Sequence, residues 1–297
     1  MATLLVATEG GLHEVAEGSG RVHLEGREVT TAHGLGWAVL DGRDVVHCEH
    51  GQWAPYGALP DGVGATCLEV APHGVFVGTE GASLLRCDDE GFAPVPGFDA
   101  APGRKSWYTP WGGPPDIRSL AVADDGTVFV NVHVGGILRS EDGGETWEPT
   151  IDLHVDVHQV VAVPGTSIVV AATGTGFATS LDDGRTWAVD HDGLHASYLR
   201  AVAVAGDAVV VSASRGPGGG DPGLYRRPLE GGAFERVGDG LPAVSGNIDT
   251  GWVVADGDLV AVVLPDGSVH RSSDGGRSFE PVADGLPAPR WLACSST

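Results

Sequence analysis

Three eight-residue segments share one template, and this repeat constrains the fold more than any other feature of the chain. Each segment reads Ser-x-Asp-x-Gly-x-Thr/Ser-aromatic, at 140–147, 180–187 and 272–279. By average residue usage, a chance match arises about once per thousand chains of this length. Asp side chains bond nearby backbone N–H groups, Gly adopts positive φ, and a buried aromatic anchors a turn. The template therefore predicts a tight turn between two strands, used several times.

Degenerate copies extend the repeat along the chain. The aromatic anchors are Trp53, Phe92, Trp147, Trp187, Phe234 and Phe279, at spacings of 39, 55, 40, 47 and 45 residues. Runs rich in β-branched residues precede the anchors, as at 117–122, 127–131 and 136–140. A repeat of this length with four strands is typical of a propeller blade.

The two ends of the chain decide the number of blades. Residues 4–24 supply three strands without an inner one, and residues 289–294 supply one isolated strand. Joining them removes the free sheet edges that an open array would leave. We therefore predict an all-β, seven-bladed β-propeller, a single domain over 1–297. Blade 1 combines 1–28 with 289–297, so that the C-terminal strand closes it. A six-bladed alternative would require irregular N-terminal strands.

The repeats resemble the Asp-box, or BNR, repeat of bacterial sialidase-like β-propellers. That resemblance implies that each box links the third and fourth strands of a blade, on the face opposite the ligand site. It gives a structural role to Asp142, Trp147, Asp182, Trp187, Asp274 and Phe279. The boxes are shared with two-domain xyloglucan hydrolases and the photosystem II assembly factor, so they identify architecture rather than chemistry.

The chain departs from true sialidases in several respects. Sialidases have six blades, an Arg-Ile-Pro motif, an arginine triad and a Tyr–Glu nucleophilic pair. This sequence has no Arg-Ile-Pro, and nothing in it pairs Tyr108 or Tyr198 with a Glu. Sialidase activity is therefore not expected.

Charge and composition exclude several classes of partner. The formal net charge of −23 argues against nucleic acid and against an anionic membrane surface. The sequence shows neither a signal-like segment nor an apolar run of membrane-spanning length. Its four cysteines lack Cys-x-x-Cys spacing, which predicts reduced core residues. We expect an acidic, cytoplasmic protein.

The longest link between blades, residues 99–116, is predicted to be an insertion on the upper face, where the chain enters the inner strands. It carries Trp107, Tyr108 and Trp111 within a Pro/Gly-rich loop. These aromatics either form a stacking platform for a sugar or base, or pack against a neighbouring blade.

Three arginines occupy one aligned position on the inner strands, namely Arg118, Arg200 and Arg290. Other blades carry Thr66, Gln159 and Thr250 there. Converging guanidinium groups would bind an anion such as a carboxylate or phosphate. The alternative is that each arginine pairs with a local acid such as Asp116 or Asp249.

Histidines fall in the same layer of the predicted propeller. His133, His158 and His195 are candidate ligands of a divalent metal, since imidazole suits zinc and other transition metals. The alternative is hydrogen-bonded or solvated loop histidines. No other cofactor is predicted.

We expect a ligand-binding propeller whose upper face holds an anionic small molecule or sugar, with Asn247 adding polar contacts. The alternative is a glycoside hydrolase on the same face, with Asp249, Glu80 or Asp116 as acid and base. A third hypothesis is a protein-interaction scaffold. The partner is thus a small molecule, a carbohydrate or a protein, and the sequence leaves open whether the chain is an enzyme.

Overall fold

The computed structural model describes residues 3–16, 19–88, 91–110 and 112–295. These residues form seven four-stranded antiparallel sheets arranged as the blades of a propeller. The seven-bladed, all-β fold predicted from the repeats is therefore confirmed.

Each of the first four blades is a meander whose first strand lies nearest the axis. Blade 1 contains β28 (Pro289–Ser295), β1 (Thr3–Thr8), β2 (Gly11–Ala16) and β3 (Ser19–His23). Blade 2 contains β4 (Val29–His33), β5 (Trp37–Leu40), β6 (Asp44–Glu49) and β7 (Gln52–Ala58). Blade 3 contains β8 (Ala65–Ala71), β9 (Gly74–Thr79), β10 (Leu84–Asp88) and β11 (Gly91–Pro94). Blade 4 contains β12 (Ile117–Val122), β13 (Val128–Val132), β14 (Gly136–Ser140) and β15 (Glu148–Pro149).

The remaining blades repeat this order. Blade 5 contains β16 (Val157–Ala162), β17 (Val169–Thr173), β18 (Gly176–Ser180) and β19 (Ala188–Asp190). Blade 6 contains β20 (Tyr198–Ala205), β21 (Ala208–Ser214), β22 (Gly223–Pro228) and β23 (Glu235–Val237). Blade 7 contains β24 (Val253–Asp256), β25 (Leu259–Val263), β26 (Val269–Ser272) and β27 (Glu280–Ala283).

Helical structure is confined to short turns on the loops. The helix α1 spans Pro96–Asp99, and 3-10 turns span Glu80–Ala82, Arg104–Ser106 and Leu153–Val155. Among the described residues, no helix has the length and apolar character that crossing a membrane requires.

The C-terminal strand closes the ring, as predicted. Strand β28 pairs antiparallel with β1, placing Leu292 opposite Val6 and Cys294 opposite Leu4. Leu292 and Val6 are both fully buried. Closure thus satisfies the inner edge of β1 and buries apolar surface from both ends of the chain.

The three boxes form the same hydrogen-bonded turn between the third and fourth strands. In the first, Ser140 Oγ donates to Asp142 Oδ1 (2.8 Å) and accepts from Gly144 N (2.9 Å). Asp142 also accepts from the backbone N (2.9 Å) and hydroxyl (2.6 Å) of Thr146. These hydrogen bonds, with those of Thr146 foremost, lower the pKa of Asp142 to about 2.

Each box is also in contact with the preceding blade. The conserved template glycine of the second box, Gly184, has φ of +74°. A Cβ atom at that position would lie 2.4 Å from the ring of Phe129 in blade 4. The glycine therefore provides both the left-handed turn and the close approach of neighbouring blades.

Arginines on the third strands attach these blades to the next box. Arg86, Arg139 and Arg226 donate to the carbonyl groups of Gly143, Asp183 and Gly275, at 2.6, 2.6 and 2.8 Å. Each acceptor is the fourth residue of a box. The equivalent residue of blade 5 is Thr179, and the turn of the following blade 6 lacks the box Asp. We call Arg86, Arg139 and Arg226 the latch arginines.

Candidate functional site

A β-bulge near the start of the inner strand recurs in six blades, and it determines which side chains reach the upper mouth of the channel. In each case the inner strand has one additional residue after its first one or two residues paired with the second strand. This insertion changes the direction of the side chain at the bulge. The bulged residues are Arg290, Thr30, Thr66, Arg118 and His158 in blades 1 to 5, and Arg200 with Ala201 in blade 6.

This register corrects one alignment made from the sequence. His158, and not Gln159, is the blade 5 counterpart of Arg118, because the bulge lies between Val157 and Gln159. Gln159 lies one residue deeper and is almost fully buried. The offset escapes sequence analysis because both residues are polar and the runs around them look alike.

The three arginines line one cavity of about 260 Å³ at the upper mouth. Five blades contribute to its wall. The lining residues are Thr66, Asp116, Ile117, Arg118, Arg200, Asp249, Thr250, Arg290 and Trp291. Side chains that are far apart in sequence therefore converge on a space of small-molecule size.

Two of the three arginines already have carboxylate partners. Arg200 Nη1 lies 2.7 Å from both carboxylate oxygens of Asp249, the local acid that the sequence suggested for it. Arg290 donates to Glu9 (2.7 Å) and Glu28 (2.9 Å), which neutralise it from two other segments.

Arg118 differs from the other two. Within the described part of the chain, no carboxylate lies within ion-pair distance of it, and Asp116 instead accepts from the backbone N of Gly81 (3.1 Å). Burial and the nearby charge of Arg200 lower the pKa of Arg118, and Asp156 and Asp249 offset this only in part. The cavity thus contains a guanidinium that is desolvated and incompletely compensated.

A buried relay of polar groups lies behind Arg118. Its Nη2 atom lies 3.4 Å from Nδ1 of His133, whose Nε2 lies 3.3 Å from Asp156 Oδ1. Nε2 of His158 approaches the other oxygen of Asp156 at 3.4 Å, and its Nδ1 contacts the carbonyl of Leu199. Although burial raises the pKa of Asp156, the two histidines lower it well below its ordinary value. The Asp156 carboxylate therefore lies between the two imidazoles, and His133 lies between Asp156 and Arg118.

The structure does not bring the third histidine into this relay. His195 lies 2.7 Å from the hydroxyl of Tyr225 and 2.8 Å from the carbonyl of Asp221, and its ring stacks on that of Tyr225. Across the described ranges, no set of three or more His, Cys, Asp or Glu side chains is arranged to hold a metal. His133 and His158 contact Asp156 instead.

The aromatic residues of the insertion separate into different environments. Trp107 packs against Phe98 with ring centroids 5.6 Å apart, and the Arg104 guanidinium lies 4.9 Å from its centroid. Of the two alternatives predicted for these aromatics, Trp107 therefore follows packing against neighbouring residues rather than a stacking platform for a ligand. Tyr108 is exposed, with its hydroxyl 3.4 Å from His154 Nδ1. Trp111 lies outside the described residues.

The remaining predicted polar residues, Asn247 and Glu80, are not among the described residues that line this cavity. Asn247 accepts from Ser214 Oγ (2.6 Å) and donates to the carbonyl of Pro217 (3.0 Å), so that its amide secures a loop. Glu80 is exposed, with its carboxylate packed over Gly64. Of the three candidate catalytic carboxylates, Asp116 and Asp249 line the cavity.

Below the arginines, the channel is closed by a segment that we call the crossing segment, residues 249–252. The Thr250 hydroxyl lies 3.2 and 3.3 Å from the carbonyls of Arg200 and His158. Gln159 Oε1 accepts from Val202 N and Gly251 N, both at 3.2 Å. The carbonyl of Gly251 accepts from Leu292 N in blade 1 (2.8 Å). Blades 5, 6, 7 and 1 are thereby tied together across the axis.

Sequence reasoning missed Asp156 and also Glu28, one of the two glutamates that neutralise Arg290. A signal for them exists, because an acid precedes the bulge by two residues in three blades. The three segments are Glu28-Val-Thr30, Asp116-Ile-Arg118 and Asp156-Val-His158.

Solved structures of low sequence identity share this fold. No protein-family model matches the sequence, and no curated protein matches it. A GH74 xyloglucanase from Xanthomonas campestris is 19% identical over 95% of this chain and 46% of its own, with a TM-score of 0.57. The chain therefore spans about half the length of that enzyme.

Two further similar structures are a set of WD40 repeats and a peptide complex. The RRP9 WD40 repeats are 14% identical over 97% of this chain and 88% of theirs, with a TM-score of 0.65. YCF48 bound to D1 peptide is 14% identical over 86% of this chain and 81% of its own, with a TM-score of 0.57. At these identities the likeness establishes the seven-bladed propeller fold alone.

Proposed function

We propose that this chain is a ligand-binding propeller whose upper cavity holds a small organic anion of sugar-acid size. The single observation that carries the proposal is the state of Arg118. It lines the cavity, is partly buried, and lies near Arg200 without a carboxylate of its own. A carboxylate ligand would supply the missing counter-charge through charge-assisted hydrogen bonds.

The rest of the cavity favours a hydroxylated ligand. The hydroxyls of Thr66 and Thr250 donate to backbone carbonyls, so their oxygens face a ligand as acceptors, and Asp116 presents a carboxylate that also accepts hydrogen bonds. The charges of Arg200 and Arg290 are already neutralised by Asp249, Glu9 and Glu28. One guanidinium without an ion-pair partner, among hydrogen-bonding groups that suit hydroxyls, matches one carboxylate on a polyhydroxylated body, as in a uronic acid.

The experiment is calorimetric titration with D-glucuronate and with D-glucose, which differ in the carboxylate. We expect measurable binding of glucuronate only. Arg118→Gln should lower the affinity for glucuronate about 10- to 100-fold, since a hydrogen bond to a charged group contributes about 1.5–3 kcal/mol. Arg290→Gln is the matched control. It removes an arginine of the same cavity that Glu9 and Glu28 already neutralise, and should change affinity by less than about threefold.

Equal binding of the acid and the neutral sugar would contradict the proposal. So would an Arg118→Gln variant that binds glucuronate as tightly as the parent protein.

A glycoside hydrolase on the same face is the second candidate, favoured by the presence of Asp116 and Asp249 in one cavity. Both oxygens of Asp249 accept from Arg200, so Asp249 does not offer the proton that a general acid donates. Asp116 would have to be that acid. Turnover of an aryl glycoside that Asp116→Asn abolishes would establish this function over simple binding.

Membership of the Asp-box propellers is part of the proposal, supported by three turns with the same hydrogen bonds. The similarity to YCF48 bound to a peptide and to WD40 repeats supports a protein-interaction scaffold as the remaining alternative. Failure of every small anion to bind would favour that alternative.

A further inference from the structure

A second, larger cavity lies on the other side of the crossing segment. Its volume is about 500 Å³, and inner strands of blades 1, 2, 5, 6 and 7 form its wall. The lining includes the lower turns of these strands, at Gly34, Pro164, Gly206 and Gly257. The cavity therefore runs from the middle of the axis towards the lower face, opposite the arginines.

The upper end of this cavity is closed. Gln159 and Trp291 line it, and Trp291 also lines the arginine cavity. The Trp291 ring packs so tightly on Gly251 that a Cβ there would lie 2.5 Å from it. The amide oxygen of Gln159 accepts from two backbone N–H groups, one of them in the crossing segment, and the two cavities share only Trp291 among the described lining residues.

The walls are made of small aliphatic side chains that are only partly buried. Val161, Val204, Val254 and Ala255 each retain exposed surface on the cavity. The thiol of Cys294 completes the wall, and burial together with the charge of Asp256 raises its pKa to about 11. It is thus a neutral, weakly polar group at physiological pH.

The titratable groups among the lining residues have partners within the protein. Nε2 of His33 lies 3.0 Å from Glu69, and its Nδ1 accepts from the backbone N of Leu35. Asp256 is exposed in the lower part of the lining and adds a negative charge near Cys294. An anionic ligand would therefore lose its hydration here without gaining a counter-ion, whereas an apolar one would release water from aliphatic surface.

We propose that the lower cavity is a binding site for a neutral, largely apolar small molecule. It is independent of the anion site in ligand class and in position, so that either proposal can fail alone. A volume of about 500 Å³ suits a ligand of two or three fused or linked rings.

The test uses two fluorescent probes that differ in charge. N-phenyl-1-naphthylamine is neutral, and 8-anilinonaphthalene-1-sulfonate is its anionic analogue. We expect one molecule of the neutral probe to bind with enhanced, blue-shifted emission, at least tenfold more tightly than the anion. Ala255→Phe and Val204→Phe place rings in the cavity, and each should weaken binding at least tenfold.

Two matched variants locate the binding. Arg118→Gln alters the upper cavity and Leu181→Ser removes a largely exposed leucine of the surface. Both should leave the affinity for the neutral probe within twofold.

A second measurement does not depend on the filled variants folding. In a Cys48→Ser background, bound N-phenyl-1-naphthylamine should slow the reaction of Cys294 with N-ethylmaleimide at least fivefold, since Cys67 and Cys87 are buried. The proposal is overturned if the neutral probe does not bind, or if it leaves Cys294 unprotected. Loss of binding in Leu181→Ser would overturn it too.

Discussion

Glycine at the fifth position of each box meets two separate physical requirements. The turn needs positive φ, which is +99°, +74° and +85° at Gly144, Gly184 and Gly276. The preceding blade also leaves no room for a side chain, since an added Cβ would lie 2.8, 2.4 and 2.8 Å from Val95, Phe129 and Val210. The template residue is therefore chosen by packing between blades as well as by the turn.

Replacing Gly184 by alanine, and comparing it with a glycine that has positive φ but open space, separates the requirement of the turn from that of packing. We expect a loss of about 3 kcal/mol in the free energy of unfolding, from left-handed strain of about 1–2 kcal/mol and overpacking of about 1–3 kcal/mol. The control is Gly165→Ala, because Gly165 has nearly the same φ, +73°, with open space around it. That variant should lose only about 1 kcal/mol, as measured by urea unfolding. Equal losses would show that the contact with Phe129 is unimportant.

At the scale of the element, the third strand of one blade is joined to the box of the next by the latch arginines. Arg139 is almost fully buried, and its Nε donates to the carbonyl of Asp183 while Nη2 contacts Glu141. The blades without a latch arginine, which are blades 1, 2, 5 and 7, each precede a blade without one of the three boxes. Each box is thus one half of an interface with the preceding blade.

Removing one latch should destabilise the protein measurably. We expect Arg139→Met to lower the free energy of unfolding by about 2 kcal/mol, because the charged hydrogen bond to Asp183 is lost in a buried site. Arg185 is half-exposed and pairs with the same Glu141, so Arg185→Met is the matched control and should cost less than about 0.5 kcal/mol. A silent Arg139→Met in thermal unfolding would refute the role of the latch.

At the scale of the whole molecule, closure of the ring joins the two ends of the chain in one sheet. Val6 and Leu292 are opposite each other across β1 and β28, in a core cluster shared with blade 7. An interface of this kind makes stability depend on residues that are almost 300 positions apart. It also creates the axis along which the two cavities lie.

Closure is testable by a double-mutant cycle. Val6→Ala and Leu292→Ala should show a coupling energy between about 0.5 and 3 kcal/mol, because the two side chains share one buried cluster. Ile137 is equally buried but belongs to a cluster of blades 4 and 5, so Leu292→Ala and Ile137→Ala should be additive within about 0.5 kcal/mol. Additivity in the first pair, measured by chemical unfolding, would contradict cooperative closure.

Local patterns in the sequence were sufficient to predict the fold. The box turn depends on hydrogen bonds within five residues, as between Asp142 and Thr146. Strand periodicity is equally local, and the blade count follows from counting such units. Even the closing strand was predictable, since residues 289–294 had no partner strands of their own.

Only the tertiary structure decided which candidate side chains share a site and in what electrostatic state. Arg290 and Arg118 look equivalent in sequence, yet Glu9 and Glu28 neutralise the first from more than 260 residues away. The same holds for the crossing segment, which brings Gly251 to Gln159 between an arginine-lined cavity and a cavity lined mainly by aliphatic residues. The physical reason is that turns arise from neighbours along the chain, whereas charge pairing and cavity shape arise from contacts between blades.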